Sequence, residues 1–182
     1  MTAVNVATLG AGCFWGVERS FARKFGAAIK NIRVGYSGGS KDSPSYKDVC
    51  TGTTNHAEVV NFEFDAAQVS YATILDFFFR MHDPTTLNRQ GGDKGTQYRS
   101  SIFYHSEEQK AIAEQVIKRV QPAFGAAQIS TTLEPFRKFW DGEEYHQDYL
   151  TKNPDGYECP THFERSWEKI AKEFTGVVPS DN

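Results

Sequence analysis

The chain has 182 residues, 39% of them hydrophobic and 14% aromatic, enough for one sizeable core and hence one catalytic domain over residues 1–182. A formal net charge of −3 with scattered Lys and Arg excludes a phosphate-neutralising face, so no nucleic-acid partner is expected. No run approaches the roughly 20 uncharged apolar residues of a membrane span, and no basic-then-apolar leader opens the chain, so a soluble, cytoplasmic protein is expected, acting as a monomer.

Residues 4–9 alternate and carry β-branched side chains before Gly10 and Gly12, the pattern of a strand entering a tight turn. From Cys13 the apolar positions Phe14, Val17, Phe21 and Phe25 recur at helical spacing, and Gly26 offers a stop. Residues 29–36 read as a strand ending at Gly38 and Gly39. Residues 40–55 are polar and aperiodic, which predicts a long functional loop. Residues 59–64 alternate as a strand, and Ser70 caps a buried helix through Ile74, Leu75, Phe77 and Phe78 that closes near His82, ahead of Pro84. After an irregular stretch, 83–97, comes a strand at 98–104. Ser106 with Gln109 makes a capping box for a helix to about Val120, ended by Pro122. Residues 129–133 suggest a strand, 143–150 a short helix before Pro154, and 163–174 a helix-like segment.

Strand, helix, strand, strand, helix, strand is the order of an α+β, ferredoxin-like split βαβ plait, a two-layer sandwich, with a third helix before the last strand. Long functional loops and an irregular C-terminal segment, about 151–182, would complete it. The sequence has no internal repeat and no low-complexity tract.

Three cysteines, Cys13, Cys50 and Cys159, fit a disulfide framework poorly and suit thiols kept reduced for chemistry. Cys13 lies in GCFWG, at or beside the first turn of a helix, where free N–H groups and a partial positive charge favour a thiolate. The flanking glycines remove side chains that would block a substrate, and Phe14 and Trp15 supply a flat apolar wall. A lone Cys beside Phe-Trp is as often a buried structural residue; the five-residue run is more specific. Three rival readings stand at this point. Cys159 and His162, with His56 and Cys50, could be taken for a weak zinc site, although a second closely spaced ligand pair is missing. Cys13 with His56, His105 or His146 could transfer acyl groups. An aromatic pocket could bind a Met-containing segment without turnover.

GCFWGVE resembles the signature of the A-type peptide methionine sulfoxide reductases, and the resemblance continues through VGYSGG, SYKDVCTG, HAEVV, FFFRMHDPTT, DKGTQYRSSIFY and EEYHQDYL. It spans about residues 9–159 and implies reduction of the S epimer of methionine sulfoxide, free or in proteins, to methionine, a repair of oxidative damage. A thiolate attacking the sulfoxide sulfur needs a proton donor for the oxygen, and Glu58 matches the family's acid, with apolar neighbours to keep it protonated. By the same resemblance Tyr46 and Tyr98 donate hydrogen bonds to the sulfoxide oxygen, and Asp93 orients polar groups and binds the substrate backbone. Phe14 and Trp15 would receive the S-methyl group.

Attack leaves Cys13 as a sulfenic acid, which condenses with a second thiol. The resemblance gives that resolving role to Cys159, in a stretch, NPDGYECPTH, whose Pro, Gly and Asp predict flexibility. The product would be an exposed redox-active disulfide recycled by thioredoxin or a small dithiol. Cys50 reads as a small apolar filler rather than a competing thiol. No bound cofactor and no metal are expected.

Overall fold

Residues 4–181 are described by the structure, a computed structural model. In chain order the elements are β1 (Asn5–Ala11), α1 (Phe14–Phe25), β2 (Ile29–Ser37), α2 (Tyr46–Cys50), β3 (Ala57–Phe64), α3 (Tyr71–Arg80), β4 (Arg89–Gln90), β5 (Asp93–Lys94), β6 (Ser100–Tyr104), α4 (Glu107–Val120), β7 (Thr132–Pro135), β8 (Trp140–Asp141), α5 (Tyr149–Lys152) and α6 (Trp167–Glu173). Six strands form one mixed sheet in the order β7-β6-β1-β3-β2-β8; only the β6–β7 edge is parallel. β4 and β5 make a separate two-stranded ribbon. The α+β class is the one expected. Among the described residues no helix is long and apolar enough to cross a membrane.

The sheet is where alternation placed it. On β3 the set Val60, Phe62 and Phe64 faces Ala7, Leu9 and Ala11 of β1, and together they meet Val17 and Phe21 of α1, Ile74, Leu75 and Phe78 of α3 and Val116 and Val120 of α4. The Phe21 ring lies 5.4 Å from Phe62 and meets Phe77 edge-on at 5.2 Å. On the other face Ala57, Val59 and Phe103 are covered by Phe136 and Phe139. Phe62→Ala is expected to lower stability by about 3–5 kcal/mol, since the fully buried ring would leave a cavity against Phe21. Urea unfolding measures this, and a loss below ~1 kcal/mol would show that the site relaxes around the gap.

Caps follow sequence chemistry. Ser70 Oγ accepts from Thr73 N–H (3.1 Å) and Ser106 Oγ from Gln109 N–H (3.1 Å). The Gln109 side chain, expected to close a box on Ser106, instead accepts from His105 N–H (2.9 Å) and donates to the Val6 carbonyl, tying α4 to β1.

Several boundaries differ from expectation. The loop 40–55 contains the single-turn helix α2, capped reciprocally by Ser45 and Asp48. Tyr98 falls in a 3₁₀ turn before β6, and the strand expected at 129–133 lies at Thr132–Pro135. The helix expected at 143–150 breaks into a 3₁₀ turn and α5, because Asp148 adopts φ +53° between them. The Gln147 amide then completes the β2 ladder, accepting from Val34 N–H (2.9 Å) and donating to Val34 O (2.8 Å). α6 starts only at Trp167, capped by Ser166. Its Ile170 and Ala171 are buried, Trp167 Nε1 donates to Asp76 (3.0 Å), and Arg165 N–H donates to the Arg80 carbonyl (3.1 Å). Residues 162–177 are therefore fastened to the body of the protein.

Candidate active site

Cys13 occupies the N-cap position of α1, immediately after Gly12 at φ +92°, and is 8% exposed. The backbone N–H groups of Trp15 and Gly16 favour its thiolate, as the helix-start argument requires. They do not win. Burial, followed by the nearby Glu58 carboxyl, pushes the thiol well above its ordinary range, so the resting sulfur is protonated. This corrects the expectation of a resting thiolate: two amides cannot offset removal from water.

Glu58 continues the core-facing set of β3, two residues before Val60, and is 2% exposed. One carboxyl oxygen accepts Phe14 N–H (3.2 Å), an unpaired donor of the first turn beside the thiol. Desolvation raises its pKa to about 8, against the lowering effect of that N–H; Asp93 raises it further. At neutral pH the carboxyl therefore holds its proton.

Tyr46 opens α2, and its N–H donates to both Glu143 carboxylate oxygens (3.0 and 3.2 Å), while Tyr36 donates its hydroxyl to the same group (3.0 Å). The Tyr46 ring stacks on Phe14 (6.5 Å) and approaches His146 at 4.5 Å. Tyr98 is half-buried, close enough to Glu58, Cys50, Asp93 and Cys13 for their charges to act on its hydroxyl. Burial pushes both tyrosines above their ordinary range, so they stay neutral donors. The structure thus brings Cys13, Glu58, Tyr46 and Tyr98 together. Asp93 joins from β5, where it accepts the Tyr157 hydroxyl (2.9 Å).

Phe14 is 1% exposed, packed against Tyr36, Tyr46 and His146. Trp15 is less covered: one face stacks on Tyr149 (3.8 Å, 11°), and its Nε1–H donates to His146 Nδ1 (2.9 Å). Burial lowers the His146 pKa, which keeps that nitrogen an acceptor. Glu18 of α1 holds the turn carrying His146 by accepting Asp148 N–H (2.8 Å).

Cys159 departs from expectation. It is 3% exposed, with Sγ 3.7 Å from the Gln90 carbonyl and 3.2 Å from Thr161 Oγ1, not on a loose exposed stretch. All three cysteines are free. Gln90 packs against both cysteine-bearing turns: a Cβ on Gly12 would lie 2.6 Å from the Gln90 side chain, and one on the adjoining Gly91 would lie 3.1 Å from Cys159 Sγ. The glycines of GCFWG therefore make room for the protein's own Gln90 and His162 rather than for an incoming molecule. Cys50 is exposed, with its thiol at the Tyr46 hydroxyl, which overturns its reading as an apolar filler.

The rival readings lose their geometry. His56 bonds Gly39 N–H and the Lys41 carbonyl, His105 bonds Thr8, and His146 bonds Trp15, so each candidate base faces elsewhere than Cys13. His162 is engaged with Ala11 and Cys159 with Gln90; among the described residues no three His, Cys, Asp or Glu side chains converge to hold a metal ion. Sequence reasoning passed over Tyr36, Glu143, Gln90 and Tyr157, and weighed His146 only as an acyl-transfer base. The density of acid, aromatic and His residues in EEYHQDYL was the available signal for Glu143.

Comparison with known proteins gives the same answer. The profile of the family described as Peptide methionine sulfoxide reductase matches residues 5–177. A relative from Haloquadratum walsbyi, Peptide methionine sulfoxide reductase MsrA, is 48% identical over 171 residues, covering 94% of this chain and 97% of that one. The crystal structure of Mxr1 from Saccharomyces cerevisiae in reduced form is 46% identical, covers 90% of this chain and 93% of its own, and superimposes with a TM-score of 0.86. Mxr1 in complex with Trx2 matches at 28% identity and a TM-score of 0.63, over 90% and 91% of the two chains. A buried thiol beside a carboxyl that keeps its proton is thus set in a fold shared with oxidoreductases of one kind, and the chain belongs to the peptide methionine sulfoxide reductase family.

Proposed function

We propose that this protein reduces the S epimer of methionine sulfoxide, free or within proteins, with Cys13 as nucleophile, Glu58 as acid and Cys159 as resolving thiol. The observation that carries it is the Glu58 carboxyl, protonated by burial and hydrogen-bonded to the residue after Cys13. As the Cys13 sulfur attacks, negative charge builds on the sulfoxide oxygen; Glu58 protonates it, and Tyr46 and Tyr98 donate hydrogen bonds without introducing a buried charge. The proton that the thiol lost to solvent before attack is regained from solvent by the carboxylate. Oxygen passes from substrate to enzyme, giving methionine and a Cys13 sulfenic acid. The exposed part of Trp15, with Phe14 behind it, suits the S-methyl group, and Asp93 suits the substrate backbone.

Cys159 then displaces the hydroxyl as water, and the dithiol of thioredoxin reduces the resulting disulfide. The yeast relative's structure in complex with Trx2 supports thioredoxin as donor. An odd set of three cysteines also favours a reducing compartment such as the cytoplasm. The order β6-β1-β3-β2, with α1 and α3 packed on one face, supports the ferredoxin-like split βαβ plait as the finer fold class.

Cys159→Ser tests the relay. It is expected to release one equivalent of methionine and stall unless a small external thiol is added, and mass spectrometry of the parent after one equivalent of sulfoxide should find Cys13 linked to Cys159. Undiminished multiple turnover with thioredoxin in the variant would remove Cys159 from the scheme.

A further inference from the structure

His162 lies three residues after Cys159, and its ring is keyed into the catalytic turn. Nε2 donates to the Ala11 carbonyl (2.6 Å), two residues before Cys13. A carbonyl only accepts, so the proton sits on Nε2 and the lone pair on Nδ1, which is buried without a partner. Burial holds the imidazole below its ordinary titration range, hence neutral. The ring fills the space that Gly16 leaves: a Cβ there would stand 2.3 Å from Nδ1, and one on Gly12 would stand 3.4 Å from Nε2. The His162 backbone N–H donates to the Cys159 carbonyl (3.0 Å), closing a turn between anchor and thiol.

This arrangement is poor as mere packing, since a polar ring atom is enclosed and unpaired where an apolar side chain would leave none. It is well suited to holding one backbone against another. Downstream, Arg165 and Trp167 fix the chain; upstream, α5 ends at Lys152, and no helix or strand intervenes before His162. Over that stretch the side-chain ties to the rest of the site are the Tyr157–Asp93 and Thr161–Gln90 hydrogen bonds, the contact of Cys159 Sγ with the Gln90 carbonyl and the exposed Arg19–Glu158 ion pair; none of them bonds the backbone of the Cys13 turn, and an ion pair of that kind adds little.

We propose that His162 is a positioning residue for the discharge of the oxidised enzyme: it fastens the Cys159 turn to the backbone of the Cys13 turn, so that disulfide closure is a motion of a tethered turn rather than a search by a free one. The proposal rests on the relay described above. In closure the Cys159 sulfur attacks the Cys13 sulfur, the S–S bond forms as the S–O bond breaks, and hydroxide leaves with the Cys159 proton as water. The Cys13 sulfur is reduced and the Cys159 sulfur oxidised.

Single-turnover kinetics with one equivalent of methionine sulfoxide and no external thiol separate methionine release from loss of free thiol in the parent, His162→Ala and His162→Gln. With Ala, release is expected within about 2-fold of the parent while closure slows by roughly tenfold or more, and the Cys13 sulfenic acid accumulates and is trapped by dimedone. With Gln, whose amide can still donate to the Ala11 carbonyl, most of the closure rate returns. Equal closure rates in parent and His162→Ala, or a parallel slowing of both steps as from a loosened fold, overturn the role of His162. A parent that never links Cys13 to Cys159 overturns the relay itself, and this role with it.

Discussion

Cys13→Ser is expected to abolish methionine sulfoxide reduction, lowering the first-turnover rate by roughly 10⁴-fold or more, to background. A serine hydroxyl is a far weaker nucleophile than sulfur and has no counterpart to the sulfenic acid. The fold should survive, because the side chain makes no N-cap hydrogen bond and the exchange is nearly isosteric. Substrate affinity should survive too, since the walls formed by Trp15, Tyr46 and Tyr98 are untouched. Measurement of methionine produced per enzyme, alongside equilibrium binding of the sulfoxide, separates the two. Turnover retained without a sulfur at position 13 would require another nucleophile and end the assignment.

Glu58→Gln should carry the second largest loss, roughly 10²–10⁴-fold in the first-turnover rate, since an amide fits the same space but is a poor proton donor. The pH profile is more diagnostic than the loss. In the proposed mechanism the reactive form carries the thiolate of Cys13 and the acid form of Glu58 together. Glu58 titrates near 8 and Cys13 well above it. Below about 8 the carboxyl is already protonated, so the first-turnover kcat/KM rises with pH as thiolate accumulates. Above about 8 each further gain in thiolate is matched by a loss of acid, and the profile levels off. In the Gln variant nothing ionises at position 58, so the slower rate should keep rising through pH 8. A parent profile that also rises without levelling would remove Glu58 as the acid.

Much of this centre could be read from residue order. Alternation placed the strand at 59–64, and the observed strand, extended back to Ala57, puts Glu58 on the same side as Val60, Phe62 and Phe64; its expected role as acid came from the family resemblance. Cys13 at a helix start was legible from Gly12 and the spacing of Phe14, Val17 and Phe21. Its protonation state was not, because segments distant in the chain, such as those of Gln90 and His162, pack against the glycines on either side of it. The same holds for the 143–150 region. Its composition reads as helix, yet the Gln147 amide is drawn into the β2 ladder across 113 positions, and local propensity yields to that pairing. Cys159 failed differently: Pro, Gly and Asp report that a segment forms no helix or strand, and they say nothing about whether side chains such as His162 and Arg165 pin it down.

The fastening of residues 162–177 also bears on how the protein is made. Ile170 lies in the core beside Phe124 and Val120, Arg165 caps the His82 carbonyl, and Val177 N–H reaches the Pro122 carbonyl. While these late residues are still inside a ribosome, the nascent chain has its sheet and its nucleophile but lacks the piece that shields them. Under the proposed relay, discharge of an oxidised Cys13 by Cys159 is therefore expected only once that last stretch has emerged and docked.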